Sequence, residues 1–143
     1  MKTLTLVFLT IFLSNGCDSV TAQDIETAVV EYTANTRGFY QKITIKNQML
    51  TVSKDRDGKD KPVSTKISDA DWKELVDCIK TVELDSLSKF KAPSENRFHD
   101  GAAIANLKIT FKDKAYETTN FDDGFPPKKI KKFVNKITSL AKE

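Results

Sequence analysis

Cysteine is almost missing from this chain of 143 residues: Cys17 and Cys78 are the only two. Lipidation or cleavage near the N-terminus takes the first, so Cys78 is left alone and no disulfide framework is expected. Cys78 reads as a small buried hydrophobe. Histidine is limited to His99, so neither H-x-x-H nor H-x-x-x-H occurs, and a metal site built on paired imidazoles is excluded. The five glycines lie scattered at positions 16, 38, 58, 101 and 124, which leaves no glycine-rich loop to cradle a phosphate. G-x-S-x-G is absent, and with it the nucleophile elbow of a hydrolase. Four prolines and five glycines are too few for a low-complexity linker chain. Charge of one sign is lacking too. The 23 basic and 20 acidic residues nearly balance, at +3, and argue against a nucleic-acid partner.

What is present is ordinary globular composition, 39% hydrophobic and 30% charged, in a chain of one domain's length. The one long apolar run is Leu4 to Leu13, preceded by Lys2. It is too short to span a bilayer and has the form of a signal-peptide core. Two exits follow it. Gly16 precedes Cys17 as in a lipobox, although the aliphatic residue (Leu13) stands four places before the cysteine instead of three. Val20-Thr21-Ala22 offers a small-x-small cleavage site before Gln23. Lipidation at Cys17 is the leading reading, with simple secretion or a retained anchor as the others. Residues 1–22 are thus a signal with a short leader and 23–143 a single domain, placed outside the cytoplasm.

Hydropathy then changes period along the chain. Thr27 to Ala34 is rich in β-branched and aromatic residues and predicts a strand. After a turn at Asn35-Thr36-Arg37-Gly38, Phe39 to Lys46 alternates, with Phe39, Ile43 and Ile45 on one face. Asn47-Gln48 is a tight turn into Met49–Ser53, and Pro62 to Ile67 makes a short fourth strand. Ser68 caps a helix whose apolar stripe is Trp72, Leu75, Val76, Ile79 and Val82. Gly101 to Phe111 alternates again, Lys112-Asp113-Lys114 turns the chain, and Ala115 to Phe121 returns. Pro126-Pro127 opens a last helix with the stripe Ile130, Phe133, Val134, Ile137 and Leu140. The order ββββ-α-ββ-α predicts an α+β fold: one antiparallel sheet of about six strands with both helices packed on one face.

Candidate chemistry gathers in two segments, 94–101 and 121–127. If the last two strands pair as a hairpin, both segments lie at one end of the sheet. Arg97, His99, Asp100, Asp122 and Asp123 then approach one another. Strand-end turns with an Arg–Asp ion pair are the preferred reading, with Arg97 on Asp100 or Asp122 and His99 in solvent. Phe98 and Phe125 on the same loops are candidate contact residues, because aromatic anchors dominate interfaces. A divalent-cation site on His99 with Asp100 or Asp122 is the sharper alternative. Asp55-x-Asp57-Gly58 has the opening of a calcium loop, but Asp60 and Lys66 occupy the positions that need glycine and glutamate, so it is a turn. Lys128, Lys129, Lys131, Lys132 and Lys136 make the last helix basic; a solvated outer face is the expectation, a lipid-facing one the alternative.

The layout resembles a family of small uncharacterised exported bacterial proteins, often lipoproteins. The resemblance is carried by the Asn47-Gln48 turn, the helix Asp71-Trp72-Lys73-Glu74-Leu75, the strand led by Asp100-Gly101 and the helix opened by Pro126-Pro127. It covers about Thr27 to Leu140 and lacks the paired-cysteine stretch of related sequences near the first turn. It implies a fold and a compartment and no activity. The resulting expectation is a non-enzymatic exported module that binds an envelope or secreted protein through Arg97, Phe98, His99, Asp100, Asp122, Asp123 and Phe125. Cys17 is its point of lipid anchorage, and no catalytic residue, cofactor or metal is assigned. An inhibitor or accessory subunit of an extracytoplasmic enzyme is the alternative, and a metal-dependent enzyme on His99 a third.

Overall fold

Alternating residues build the sheet. The computed structural model describes residues 26–142. Lys2, the Leu4–Leu13 run, Cys17 and the Val20–Gln23 exit all lie outside the described residues. The strands are β1 (Val29–Asn35), β2 (Tyr40–Lys46), β3 (Met49–Ser53), β4 (Ser64–Lys66), β5 (Ile104–Phe111), β6 (Lys114–Glu117) and β7 (Phe121–Asp122). The helices are α1 (Asp69–Ile79), between β4 and β5, and α2 (Lys131–Leu140), after β7. The sheet runs β4-β3-β2-β1-β5-β6, with β7 also on β5, and each pairing is antiparallel. This is the expected α+β fold in the expected order, with β7 added.

One face of the sheet is apolar. Val30, Tyr32, Ala34, Ile43, Ile45, Leu50, Ala105, Leu107, Ile109 and Phe111 are buried there in register, Tyr32 between Ile43 and Leu107. Leu75, Val76 and Ile79 of α1 and Phe133, Val134 and Ile137 of α2 complete the same core. The other face carries polar residues such as Glu31, Thr33, Lys42 and Thr44, and Lys42 reaches Glu31 at 2.6 Å. The two helices are tied by Lys136, whose Nζ lies 2.8 Å from Asp71 Oδ1 and 2.6 Å from Glu74 Oε2. Both bonds favour the charged lysine and raise its pKa. Phe133 and Val134, like Ile130 just before the helix, are each 1% exposed, so the apolar stripe of α2 faces the core, and Lys131 and Lys132 are exposed on its outer face.

Local chemistry sets the turns. Asn47 and Gln48 (φ 51° and 61°) and Lys112 and Asp113 (φ 47° and 61°) make two-residue hairpin turns with both residues left-handed. Gln48 also anchors the entry to α1, its Nε2 donating to Ile67 O and Asp69 Oδ1, both at 2.8 Å. Ser68 caps α1 by accepting from the Asp71 N–H.

Five details differ from the sequence reading. The first strand begins at Val29 and runs on to Asn35. Phe39 is 43% exposed, because it still belongs to the turn before β2, its carbonyl accepting from the Thr36 N–H. The fourth strand shrinks to Ser64–Lys66, all exposed, an edge strand that pairs on one side only. Trp72 is only half-buried, lying at the rim of the stripe. The return strand is broken into β6 and β7. Four steps from Glu117 to Phe121 face three from Lys108 to Ala105, so the chain carries one extra residue and bulges. Thr118 fills the gap: its Oγ1 accepts from the Leu107 N–H at 3.0 Å, and its own N–H donates to Leu107 O at 2.9 Å.

Candidate functional site

The bulge matters because it sets which way Asp122 faces. Phe121 pairs with Ala105 on the core face, so Asp122, opposite Ile104, turns to the other side of the sheet. A carboxylate there would stand in solvent, yet Asp122 is fully buried. The segment 94–99 folds over it as a short 3-10 turn, Asn96–His99. Asp122 Oδ2 accepts from Ser94 Oγ at 2.7 Å and from the Asn96 N–H at 2.8 Å. Its Oδ1 accepts from the Arg97 N–H at 3.1 Å and from Arg97 Nη1 at 3.0 Å. The carboxylate thus satisfies the free N–H groups that begin the turn. Burial pushes its pKa upward, but the bonds from Ser94, Arg97 and Asn96 outweigh burial and bring it down from 3.8 to about 2.

Of the two partners the sequence allows for Arg97, Asp100 and Asp122, the structure takes Asp122. Arg97 does not bridge two carboxylates, however: Nη1 divides between Asp122 Oδ1 and Ser94 O, the latter at 2.7 Å. Its guanidinium carbon sits 4.4 Å from the centroid of the Phe98 ring. Phe98 itself is 67% exposed, and His99 and Asp100 are exposed beside it. Asp100 ends the turn in the left-handed region (φ 55°), its N–H donating to Asn96 O. A Cβ on Gly101 would lie 3.3 Å from Asn96 Cβ and O, a close approach that favours glycine there.

Asp123 leaves this group and crosses to the core face, where Tyr32 Oη donates to its Oδ1 at 2.5 Å. Burial, then this hydrogen bond, raises the Tyr32 pKa far above the ordinary phenol. The turn closes with Phe125 N–H donating to Asp122 O at 2.8 Å, across Gly124 (φ 86°). Phe125 is 57% exposed. Arg97 and Asp122 therefore come together, with Phe98 and Phe125 exposed on the same two loops. Asp123 serves the core instead, and His99 joins neither group.

The cation alternative does not match this arrangement. Both oxygens of Asp122 are occupied by protein donors, and His99 faces solvent. Among the described residues no group of three or more His, Cys, Asp and Glu side chains is placed to hold a metal ion. Cys78 is a buried free thiol whose pKa burial raises, the opposite of an activated nucleophile. Among the described residues no helix is long and apolar enough to cross a membrane.

The sequence reading missed the role of Ser94 as a carboxylate partner and of Tyr32 as the anchor of Asp123. Neither had a local signal, since their partners lie 28 and 91 residues away. Comparison of the chain with family models, curated proteins and solved structures finds no match.

Proposed function

We propose that this chain is an exported, non-enzymatic binding module that engages another envelope or secreted protein with the end of its sheet. One observation carries the reading. Of the five exposed large hydrophobic residues among those described, Phe39, Phe98, Ile104 and Phe125 stand at the end where β1 finishes and β5 begins. Exposed aromatics gathered at one place are a contact surface more often than a solvated one. They are also held in place. The Arg97 guanidinium packs on one face of Phe98 and is itself fixed on buried Asp122. A ring already held this way loses little freedom on binding.

The double variant Phe98→Ala/Phe125→Ala tests this. Its melting temperature should match that of the wild type, because both rings are exposed. Affinity capture from the envelope fraction of the native host should retain one protein with the wild-type chain and lose it with the variant. Equal capture by both chains would end the proposal.

The export half of the reading rests on Lys2, the Leu4–Leu13 run and Cys17, and the resemblance to small exported bacterial proteins belongs to the same proposal. Mass spectrometry of the chain made in a bacterial host should show a diacylated or triacylated Cys17 at the N-terminus. An unmodified chain starting at Gln23 would replace anchorage with secretion, and an unprocessed Met1 would remove export altogether.

A further inference from the structure

Arginine is rare in this chain: of 23 basic residues only Arg37, Arg56 and Arg97 are arginine. They are far apart in sequence, in the β1–β2 hairpin, the loop after β3 and the turn over Asp122. All three line one surface pocket of about 270 Å³, together with Thr36, Asp100 and Ile104. It lies on the polar side of the sheet, where Asn35 pairs with Ile104.

The three are not equivalent. Arg97 is neutralised by Asp122 at 3.0 Å. Arg56 donates from Nη2 to Thr36 O at 2.6 Å and lies 6.0 Å from the Tyr40 ring centroid, so it is positioned, and among the described residues it has no carboxylate partner. Arg37 is exposed, and among the described residues it has no carboxylate partner. Among the described residues Asp100 is the only acidic one that lines the pocket, and it has no ion-pair partner there.

We propose that this pocket is a binding site for a monocarboxylate. Two guanidiniums with no carboxylate partner among the described residues, opposed by one aspartate, leave a net single positive charge. That balance matches a ligand of charge −1 such as one carboxylate, and leaves one charge of a phosphate dianion uncompensated. The planar fork of arginine fits a carboxylate in a way lysine does not, which accounts for arginine at 37 and 56 in a chain rich in lysine. Asp100 accepts a hydrogen bond from a donor beside the carboxyl group, and Ile104 offers an apolar wall. The group belongs either to a small free acid or to the end of a peptide chain. The site adjoins the partner surface and shares Arg97 and Ile104 with it, while neither Phe98 nor Phe125 lines it.

NMR titration of the full chain at constant ionic strength decides it, with lactate and trialanine as probes and trialaninamide and inorganic phosphate as comparisons. Saturable shifts at the Arg37, Asp100 and Ile104 amides are expected, with a dissociation constant on the order of 1 mM for so small a ligand. Arg37→Gln, at an exposed position that leaves the fold intact, should weaken binding about tenfold. Binding of lactate but not trialanine assigns a free acid. Binding of trialanine but not its amide assigns a chain terminus. Either result supports the site. No saturation by either probe, unchanged affinity in Arg37→Gln, or tighter binding of phosphate than of both acids overturns it.

Discussion

Phe121→Ala is expected to destabilise the fold by about 3–5 kcal/mol, as removal of a fully buried phenyl ring does. Phe121 is 0% exposed, and its ring centroid lies 6.3 Å from that of Tyr32 in a tilted pair. Its effect should also reach beyond the core. β7 is two residues long, paired with β5 only at Ile104 and Ala105, so Phe121 is the main anchor of that short segment. Loosening it frees Asp122 on one side of the chain and Asp123 on the other. Denaturant unfolding should show the lower midpoint, and hydrogen exchange should show faster opening of the Asn96 and Arg97 amides, which donate to Asp122. A wild-type midpoint would mean that β7 is held by the loop instead of by this ring.

Arg97→Ala should lower the melting temperature by on the order of 10 °C, because it leaves a buried carboxylate without its charge partner. The loss is smaller than complete exposure of Asp122 would bring, since Ser94 Oγ and two backbone N–H groups still donate to it. The acid limb of stability gives a second readout. Asp122 has its folded pKa lowered from 3.8 to about 2. Its contribution is therefore fully present above pH 3.8 and is lost as pH falls toward 2. Without Arg97 the folded pKa rises, so the variant should begin to unfold at a higher pH than the wild type. His99→Ala, by contrast, should leave both curves in place. An Arg97→Ala chain with wild-type melting and acid profiles would show that the pair does not fasten the loop.

Much of the fold was legible in local pattern. Val30, Tyr32 and Ala34, or Ala105, Leu107, Ile109 and Phe111, alternate because a strand sends successive side chains to opposite faces. The stripe Leu75, Val76, Ile79 recurs because a helix turns every 3.6 residues. Ser68 announced its own helix by the chemistry of a cap. The break between β6 and β7 was not legible. Ala115 to Phe121 carries Tyr116, Thr118, Thr119 and Phe121 and reads as one strand, and the extra residue shows only when counted against β5.

The sequence by itself determined the class of fold, the faces that would be buried and the loops where polar residues gather. It did so because periodicity and capping are decided within a few neighbouring residues. It also narrowed the partner of Arg97 to Asp100 or Asp122, through the simple attraction of opposite charges on adjoining loops, and the structure takes Asp122. Which aspartate would be buried was decided only by the tertiary structure. Asp122 and Asp123 are identical in type and adjacent in sequence, and both read as turn residues. One bulge at Thr118 turns Asp122 to the polar side, under Ser94 and the Asn96–His99 turn, and sends Asp123 to Tyr32. The meeting of Arg37, Arg56 and Arg97 at one pocket is likewise a product of strand register. Register is fixed by which apolar rows share the core, a property of the whole sheet that no single segment contains.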